Sequence, residues 1–300
     1  MNSRLTLNLV LLISVSILAG VAFFEPGKTR TESHPIAVID EKALTQISLK
    51  NRDSMRFEKL NGHWSLTAPF KAPANEIRIR QLMDIAKSNS EANYPADPNN
   101  RIPFELDKPK AVLTLGATVF SFGGTDPINM RRYVEVGDTL HLVNDNFFHH
   151  LTAQATDYVD KKLLPEAAKI REIQIPGLKA TLGSDGKWSR EPASVDAESG
   201  RGISDLLAIW SSARAIEVKR EDKPTAGDTI RIGLSEGPAI EFVIVQRQPD
   251  LILARRDLGL RYAVTAETTS QLLNQPKPAD KSEAQGEADE LEPESEETEE

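Results

Sequence analysis

The sequence predicts an α+β fold of two tandem homologous domains, each of antiparallel strands with packed helices, after one N-terminal transmembrane helix. Three observations predict it: one stretch of the chain occurs twice, short β-type runs alternate with glycine-containing turns, and an apolar run opens the chain. The length of 300 residues also suits about two domains.

The repeated stretch covers residues 60–88 and 183–212. In both copies a Gly lies two positions before a Trp-Ser pair, and Ile and Leu then follow at the same distances from the Trp. The matched positions are Gly62 and Gly186, Trp64 and Trp188, Ser65 and Ser189, Ile79 and Ile203, Leu82 and Leu206, and Ile85 and Ile209. The copies lie 124 residues apart, which is too long for a solenoid repeat and indicates a duplicated domain. We interpret the two Trp as core anchors between hairpin and helix.

The N-terminal run, residues 5–24, is uncharged and mostly apolar. As a helix it would extend about 30 Å, the thickness of a bilayer's hydrocarbon core. The competing interpretation is a signal peptide cleaved near Gly20 and Ala22, although the run exceeds the usual signal core. We predict an anchor and stalk over residues 1–35, with the rest of the chain outside the cytoplasm.

The first domain is predicted over residues 36–165. Asn61-Gly62 between two β-type runs predicts a two-residue hairpin, because both central positions of a type I′ turn need positive φ. Prolines then end the strand, and Asn75 caps a helix with apolar residues at helical spacing. A helix is also expected from about residue 146. The predicted strands are 36–39, 47–50, 111–115, 119–122, 132–135 and 139–143.

The second domain is predicted over residues 166–273 with the same order of hairpin, helix and meander strands. Asp185-Gly186 predicts its hairpin, a helix runs to about residue 215, and Thr265 caps a last short helix. Its other strands are predicted at 170–175, 229–235, 239–246, 252–255 and 261–264.

Residues 274–300 are predicted to be a disordered acidic tail, because they hold almost nothing to bury. They contain eleven Asp and Glu against two Lys, which accounts for the whole formal net charge of −9. The remainder is formally neutral, so nucleic-acid binding has no electrostatic support. The absence of Cys excludes disulfides, thiol catalysis and thiolate metal sites.

Several segments together resemble the DUF4340 family of membrane-anchored bacterial proteins. They are FFEPG (23–27), WSLTAPF (64–70) with APANEIRIRQLM after it, FELDKPKAVLTLG (104–116), RRYVEVGDTLHLV (131–143) and DYVDKKLLP (157–165). The resemblance covers nearly everything except the tail. It implies an extracytoplasmic protein, often beside components of ABC-type export or gliding-type transport systems. The family supplies no catalytic residues to carry over.

Candidate catalytic and metal-binding groups are few. His149 and His150 are adjacent, so on a helix they point about 100° apart and do not share a metal as an i, i+4 pair does. Ser184 and Lys187 have the Ser-x-x-Lys spacing of some acyl transferases, but we expect both to flank a hairpin turn. We expect residues 122–127, FGGTDP, to form a turn rather than a phosphate loop, since the Lys-Ser/Thr ending is missing.

Two arginine pairs, Arg131-Arg132 and Arg255-Arg256, occur near the same strand of each copy. They could form a patch for a partner or a lipid headgroup. The simpler interpretation is solvated strand residues with local carboxylates such as Glu135 and Asp257, because surface ion pairs are common and weak.

The sequence therefore predicts a single-span protein of the bacterial inner membrane with its bulk in the periplasm. We expect a non-enzymatic accessory or scaffold component of an envelope ABC-type transport system, with membrane transport proteins as partners. The alternative is a periplasmic module that binds a glycan or lipid in the cleft between the two repeats. No catalytic, cofactor-binding or metal-binding residues are assigned.

Overall fold

The computed structural model describes residues 3–24, 34–191, 202–221 and 226–273, and within helix 3–24 the side chains of 8–20. The helices are α1 (Ser3–Phe24), α2 (Glu76–Asp84), α3 (Phe148–Leu151), α4 (Ile203–Ser212) and α5 (Ala266–Leu272). Short 3₁₀ helices cover Ile85–Lys87, Ile102–Phe104 and Ala155–Tyr158. The predicted stalk lies largely outside the described residues, and the predicted tail lies outside them entirely.

The strands form two antiparallel sheets. Those of the first are β1 (Gln46–Lys50), β2 (Ser54–Leu60), β3 (His63–Ala68), β4 (Ala72–Pro73), β5 (Ser90–Pro95), β6 (Ala111–Leu115), β7 (Thr118–Thr125), β8 (Arg132–Val136) and β9 (Thr139–Val143). Those of the second are β10 (Ile170–Ile175), β11 (Leu178–Leu182), β12 (Trp188–Glu191), β13 (Glu217–Arg220), β14 (Thr229–Leu234), β15 (Ile240–Gln246), β16 (Leu251–Arg255) and β17 (Leu260–Val264).

The two sheets have the same strand order. The first runs β4-β3-β2-β1-β6-β7-β8-β9-β5 and the second β12-β11-β10-β14-β15-β16-β17-β13, so among the strands that the structure describes only β4 lacks a counterpart. In each sheet the strand after the long helix returns to the far edge and pairs with the last strand of the meander. This shared order matches each strand of the first sheet except β4 with one strand of the second.

The fold class is mainly β, which corrects the α+β prediction. Helices α2 and α4 have only nine and ten residues, whereas the hairpin and meander strands continue into single sheets of nine and eight strands. The buried side chains are correspondingly dominated by strand residues such as Phe57 and Phe242. The helices contribute single apolar faces, for example Ile79 and Leu82 of α2.

The predicted transmembrane helix is not part of the described fold. In α1, every described side chain from Asn8 to Ala19 is exposed. Across the described chain, no helix has both the length and the apolar content needed to cross a membrane.

Of the predicted hairpins and the predicted first strand, only the first hairpin forms as predicted. The first hairpin is confirmed: Leu60 pairs with His63, and Asn61 and Gly62 have φ of 51° and 87°. The second is wrong in type, because only Gly186 has positive φ and a five-residue loop separates β11 from β12. Residues 36–39 form no strand; the amides of Ile36 and Ala37 donate instead to the carbonyls of Ser88 and Ala86, at the 3₁₀ helix that follows α2.

Candidate functional site

A cleft of about 600 Å³ lies at the junction of the two sheets. Its lining comes from three parts of the chain: the β3–α2 region, the connector between the sheets (defined here as residues 155–166), and the second half, which contributes residues of its sheet and Arg214 after α4. The lining residues are His63, Trp64, Ser65, Pro73, Ala74, Asn75, Glu76, Ile77, Asp160, Lys162, Leu163, Leu164, Pro165, Glu166, Arg214, Ile240, Arg255 and Tyr262. A cleft between structural units is a common place for a ligand site.

The start of α2 forms one wall of the cleft, and local hydrogen bonds fix it. Asn75 has extended backbone and its side-chain oxygen accepts from the amides of Ile77 and Arg78 at 3.1 and 3.2 Å, an N-cap. The carboxylate of Glu76 accepts from the amide of Trp64 at 2.9 Å, which ties the helix to β3. The predicted cap is thereby confirmed, and it places Glu76 and Ile77 at the cleft.

The connector forms the back of the cleft and hydrogen-bonds to both halves. In the first half of the chain, the Asp160 amide donates to the Pro73 carbonyl at 2.9 Å. The Asn75 amide donates to the Tyr158 carbonyl at 2.7 Å. On the second side, the Leu163 amide donates to the carbonyl of residue 213 at 3.1 Å. Leu163 and Leu164 are buried. The connector is thus held by hydrogen bonds on both sides, which gives the cleft a fixed back wall.

The charges in the cleft compensate one another. Three acidic side chains (Glu76, Asp160, Glu166) face three basic ones (Lys162, Arg214, Arg255) in the lining. Lys162 pairs with Glu166 at 2.9 Å and lowers the pKa of that carboxyl, while Arg214 lies 3.9 Å from Asp160. The cleft therefore presents polar groups without a net charge from its carboxylates, Lys and Arg.

Arg255 and Tyr262 come from the second sheet. The Arg255 guanidinium binds the Asp257 carboxylate in a bidentate pair at 2.9 and 2.5 Å and lowers its pKa. Tyr262 is only 2% exposed, and burial raises the pKa of its hydroxyl to about 12.

The histidines singled out in the sequence lie elsewhere. His149 and His150 belong to α3, with ring centroids 3.8 Å apart, and His150 Nδ1 lies 3.2 Å from the Arg78 guanidinium. Burial, with the adjacent His149 and Arg78, lowers the pKa of His150. The described residues hold no group of His, Asp or Glu side chains suited to a metal ion.

Ser184 and Lys187 are exposed in the loop between β11 and β12, as the turn prediction expected. The prediction of a turn at residues 122–127 is wrong for its glycines, which lie inside β7. Gly123 is needed there because an added Cβ would come within 2.1 Å of the Phe104 carbonyl oxygen. The turn itself follows at residues 126–131.

The arginine pairs divide between core and cleft. Arg132 is buried, donates to both Asp145 carboxylate oxygens, and stacks on Phe148 with its guanidinium carbon 3.5 Å from the ring centroid. It is not the solvated strand residue that we expected, because Asp145 follows β9 and folds back over it. Arg255 has the predicted partner, Asp257, and also lines the cleft.

Sequence reasoning missed most of the site, including Tyr262, Arg214 and the connector residues. A signal existed for the connector, since Asp160 and Lys162 belong to the DYVDKKLLP segment. Tyr262 also had one: it occupies an inward position between Leu260 and Val264, so a hydroxyl appears where the alternation calls for an apolar side chain.

Fold and site together define a mainly β protein with two sheets of matching strand order and an open cleft of ligand size between them. The chain belongs to the DUF4340 family: the family model, described as a domain of unknown function (DUF4340), matches residues 64–236, more than half of the sequence. No curated protein and no solved structure matches the chain.

Proposed function

We propose that this protein is a non-enzymatic binding component of a bacterial envelope transport system and takes a small ligand in the cleft between its two sheets. The observation that carries the proposal is the cleft itself, about 600 Å³ in volume, where apolar walls meet converging polar groups. Pockets of that size and mixed lining are typical of small-molecule sites. A flat junction would have favoured a purely structural role.

We propose that the protein acts in the periplasm, beside membrane transport proteins. The absence of Cys is compatible with that location. The exposed apolar side chains of α1, such as Leu11 and Leu18 at 65 and 68%, also suit a contact with an apolar environment. A reporter that is active only outside the cytoplasm, fused after Leu273, should be active; activity of a cytoplasm-only reporter at that site would refute the location.

A scaffold role is the second candidate, and an exposed loop favours it. Ile128 and Met130, between β7 and β8, are 84 and 67% exposed. Two exposed apolar side chains, separated by one residue in the same loop, are a small surface for a protein partner. This candidate places the essential residues on the loop rather than in the cleft.

The duplication supplies a matched pair of substitutions that separates the two roles. Ser65 lines the cleft on β3, whereas Ser189, its counterpart on β12, lies outside the lining. Ser65→Trp should fill part of the cleft and impair transport in a deletion strain, while Ser189→Trp should restore transport as well as the unaltered chain. Both positions lie in strands that tolerate an aromatic residue.

Ile128→Lys tests the loop in the same strain. If the cleft is the functional site, this variant should complement fully. Loss of transport with Ile128→Lys, together with full complementation by Ser65→Trp, would refute the binding role and support the scaffold. The melting temperature of each purified variant shows that the comparison is between folded proteins.

A further inference from the structure

A second pocket, of about 500 Å³, lies between the first sheet and α3. It is lined by Asn51, Arg52, Lys110, Phe148 and Thr152, and none of these residues lines the cleft. Two of the five are cationic and none has a carboxylate, whereas the cleft has equal numbers of acidic and basic side chains. The lining of this pocket therefore carries a net positive charge.

The pairing of β1 with β6 brings the two cations to one place. The strands are antiparallel, and Lys50 at the end of β1 lies opposite Val112 near the start of β6. Arg52 follows that pair by two residues in the turn after β1, and Lys110 stands two residues before it, ahead of β6. The backbone of Lys110 is fixed, because its amide donates to the Phe122 carbonyl at 2.8 Å. The fold thus directs two cationic residues to one pocket.

The turn after β1 is held against α3 by a single side chain. The side-chain nitrogen of Asn51 donates to the carbonyl oxygens of Leu151 and Ala153 at 2.8 and 3.0 Å. Its side-chain oxygen accepts from the Asp53 amide at 2.7 Å, which fixes the turn that carries Arg52. The pocket is therefore pre-organised, which lowers the entropic cost of binding a ligand.

Phe148 supplies the apolar surface of the pocket, and a buried ion pair holds it in place. The Arg132 guanidinium lies 3.5 Å from the centroid of the ring, and the Asp145 carboxylate binds that guanidinium through both oxygens. The ring is thereby fixed in the same pocket as the two cations. It can cover the carbon atoms of a ligand whose anionic group the cations bind.

Both cations are available to a ligand. Arg52 is exposed and makes no ion pair with any carboxylate that the structure describes. Lys110 lies 3.0 Å from Glu105, but the two side chains are 45 and 57% exposed, and such surface pairs are weak. A guanidinium and an ammonium group both bind phosphate oxygens well. A phosphate monoester carries close to two negative charges at neutral pH, which matches two cations.

The second copy has no such pair of cations at the matching junction. Its β10–β11 turn is Pro176-Gly177, and Gly227-Asp228 precedes β14. The one charge there is compensated, since Arg247 binds the Asp228 carboxylate at 2.6 Å. The duplicated fold therefore does not require cations at this junction, which makes those of the first copy candidates for function.

We propose that this pocket binds the phosphate group of a phosphate monoester, held by Arg52 and Lys110, with Phe148 covering the adjoining carbon atoms. The site is separate from the cleft and goes beyond the proposed function. A soluble ester and a lipid headgroup present the same phosphate group to the two cations, so the experiment has one arm for each source.

Calorimetric titration of the full chain with glycerol 3-phosphate tests the soluble source. Arg52→Ala and Lys110→Ala should each weaken binding about tenfold, because each removes one charge-assisted interaction with the phosphate. Arg171→Ala is the matched control, since Arg171 is exposed on β10, outside the pocket, and its loss changes the net charge equally. This control should keep the affinity of the unaltered chain. All three side chains are exposed, so the variants should also keep its melting temperature.

Sedimentation with vesicles tests the lipid source. Phosphatidate mixed into phosphatidylcholine presents the phosphate monoester on a membrane, and phosphatidylcholine alone accounts for any contact that α1 makes. If the source is a lipid, phosphatidate should increase binding, and Arg52→Ala should remove the increase while Arg171→Ala keeps it. If the source is soluble, glycerol 3-phosphate binds with the pattern given above and phosphatidate has no effect.

Three results would overturn the proposal: no binding of either phosphate probe, the same affinity in the pocket variants as in Arg171→Ala, or binding of acetate as tight as that of glycerol 3-phosphate. Ser65→Trp, which fills the cleft, should bind the phosphate probes normally; loss of that binding would place the phosphate in the cleft instead. Complementation by Ser65→Trp tests the cleft without these probes, so a failure here leaves the proposed function standing.

Discussion

Replacing Arg132 by Met should be among the most destabilising single changes outside the cleft. Its side chain is 6% exposed and donates from Nε and Nη2 to Asp145 at 2.9 and 2.6 Å. Its Nη1 also donates to the Gly123 carbonyl at 2.6 Å. Met has similar length and an apolar tip, so the substitution removes the charge and donors while largely keeping the volume.

The size of the stability loss follows from the polar groups that Arg132→Met leaves without a partner. Asp145, whose side chain is 20% exposed, would lose both of its charge-assisted hydrogen bonds, and the Gly123 carbonyl would lose a third. Breaking a buried pair from one side typically costs about 3–5 kcal/mol, because the remaining charge is left uncompensated. The lost contact with the Phe148 ring adds to that cost.

Equilibrium unfolding in guanidinium chloride measures the effect. Arg231→Met is the matched control, since Arg231 pairs with Glu241 at 3.2 Å but both side chains are more than half exposed, so less than about 1 kcal/mol should be lost. The double variant Arg132→Met with Asp145→Leu should recover much of the stability, because neither charge is then left alone. Equal costs for the two arginines, or additive costs in the double variant, would refute the reasoning.

Two further predictions concern stability. Gly123→Ala should lower the free energy of unfolding by about 1–3 kcal/mol, because the added Cβ would collide with a main-chain carbonyl oxygen. Gly20→Ala is the control: an added Cβ there meets nothing within 4 Å, so the variant should not be destabilised. Thermal unfolding compares the two variants. At alkaline pH, the Tyr262 hydroxyl should ionise in the unfolded chain first, since its pKa rises from 10.0 to about 12 on folding. Stability that is fully present below pH 10 is then lost towards pH 12, and Tyr262→Phe should lose about 2–3 kcal/mol less over that range in denaturant titrations at each pH; an unchanged slope would contradict the burial of that hydroxyl.

Much of the fold could be predicted because local rules govern it. Asn61-Gly62 specified its turn through backbone conformations that few other residue pairs adopt, and Asn75 specified the start of α2 through its cap. The meander strands were predicted to within a few residues because they are rich in apolar residues between glycine-containing turns, and some of them alternate buried and exposed positions. In Ala111–Leu115, for example, the first, third and fifth side chains are buried and the two between them are partly exposed.

The returning strands β5 and β13 could not be predicted in this way. β5, SEANYP, is buried only at its first residue, and β13, EVKR, only at its second, so neither shows the period of two that reveals a strand. Each is a strand only because it pairs with the last strand of its meander, about 45 residues later in the chain. When β5 and β13 are overlooked, each long helix is followed by an apparent gap before the meander strands. A mainly β chain is then predicted to be α+β.

A cleft between the repeats could be anticipated, but its lining residues could not, for a related reason: the cleft belongs to neither copy alone. A tandem pair has one junction, and that junction takes the hairpin and helix start of the first copy, the meander end of the second, and the connector between them. Equivalent positions therefore face different surroundings. Ser65 and Ser189 match in sequence, yet only Ser65 meets the cleft. Selection on a ligand would act on this asymmetry, so the residues in which the copies differ at the junction are better candidates for function than the motif they share.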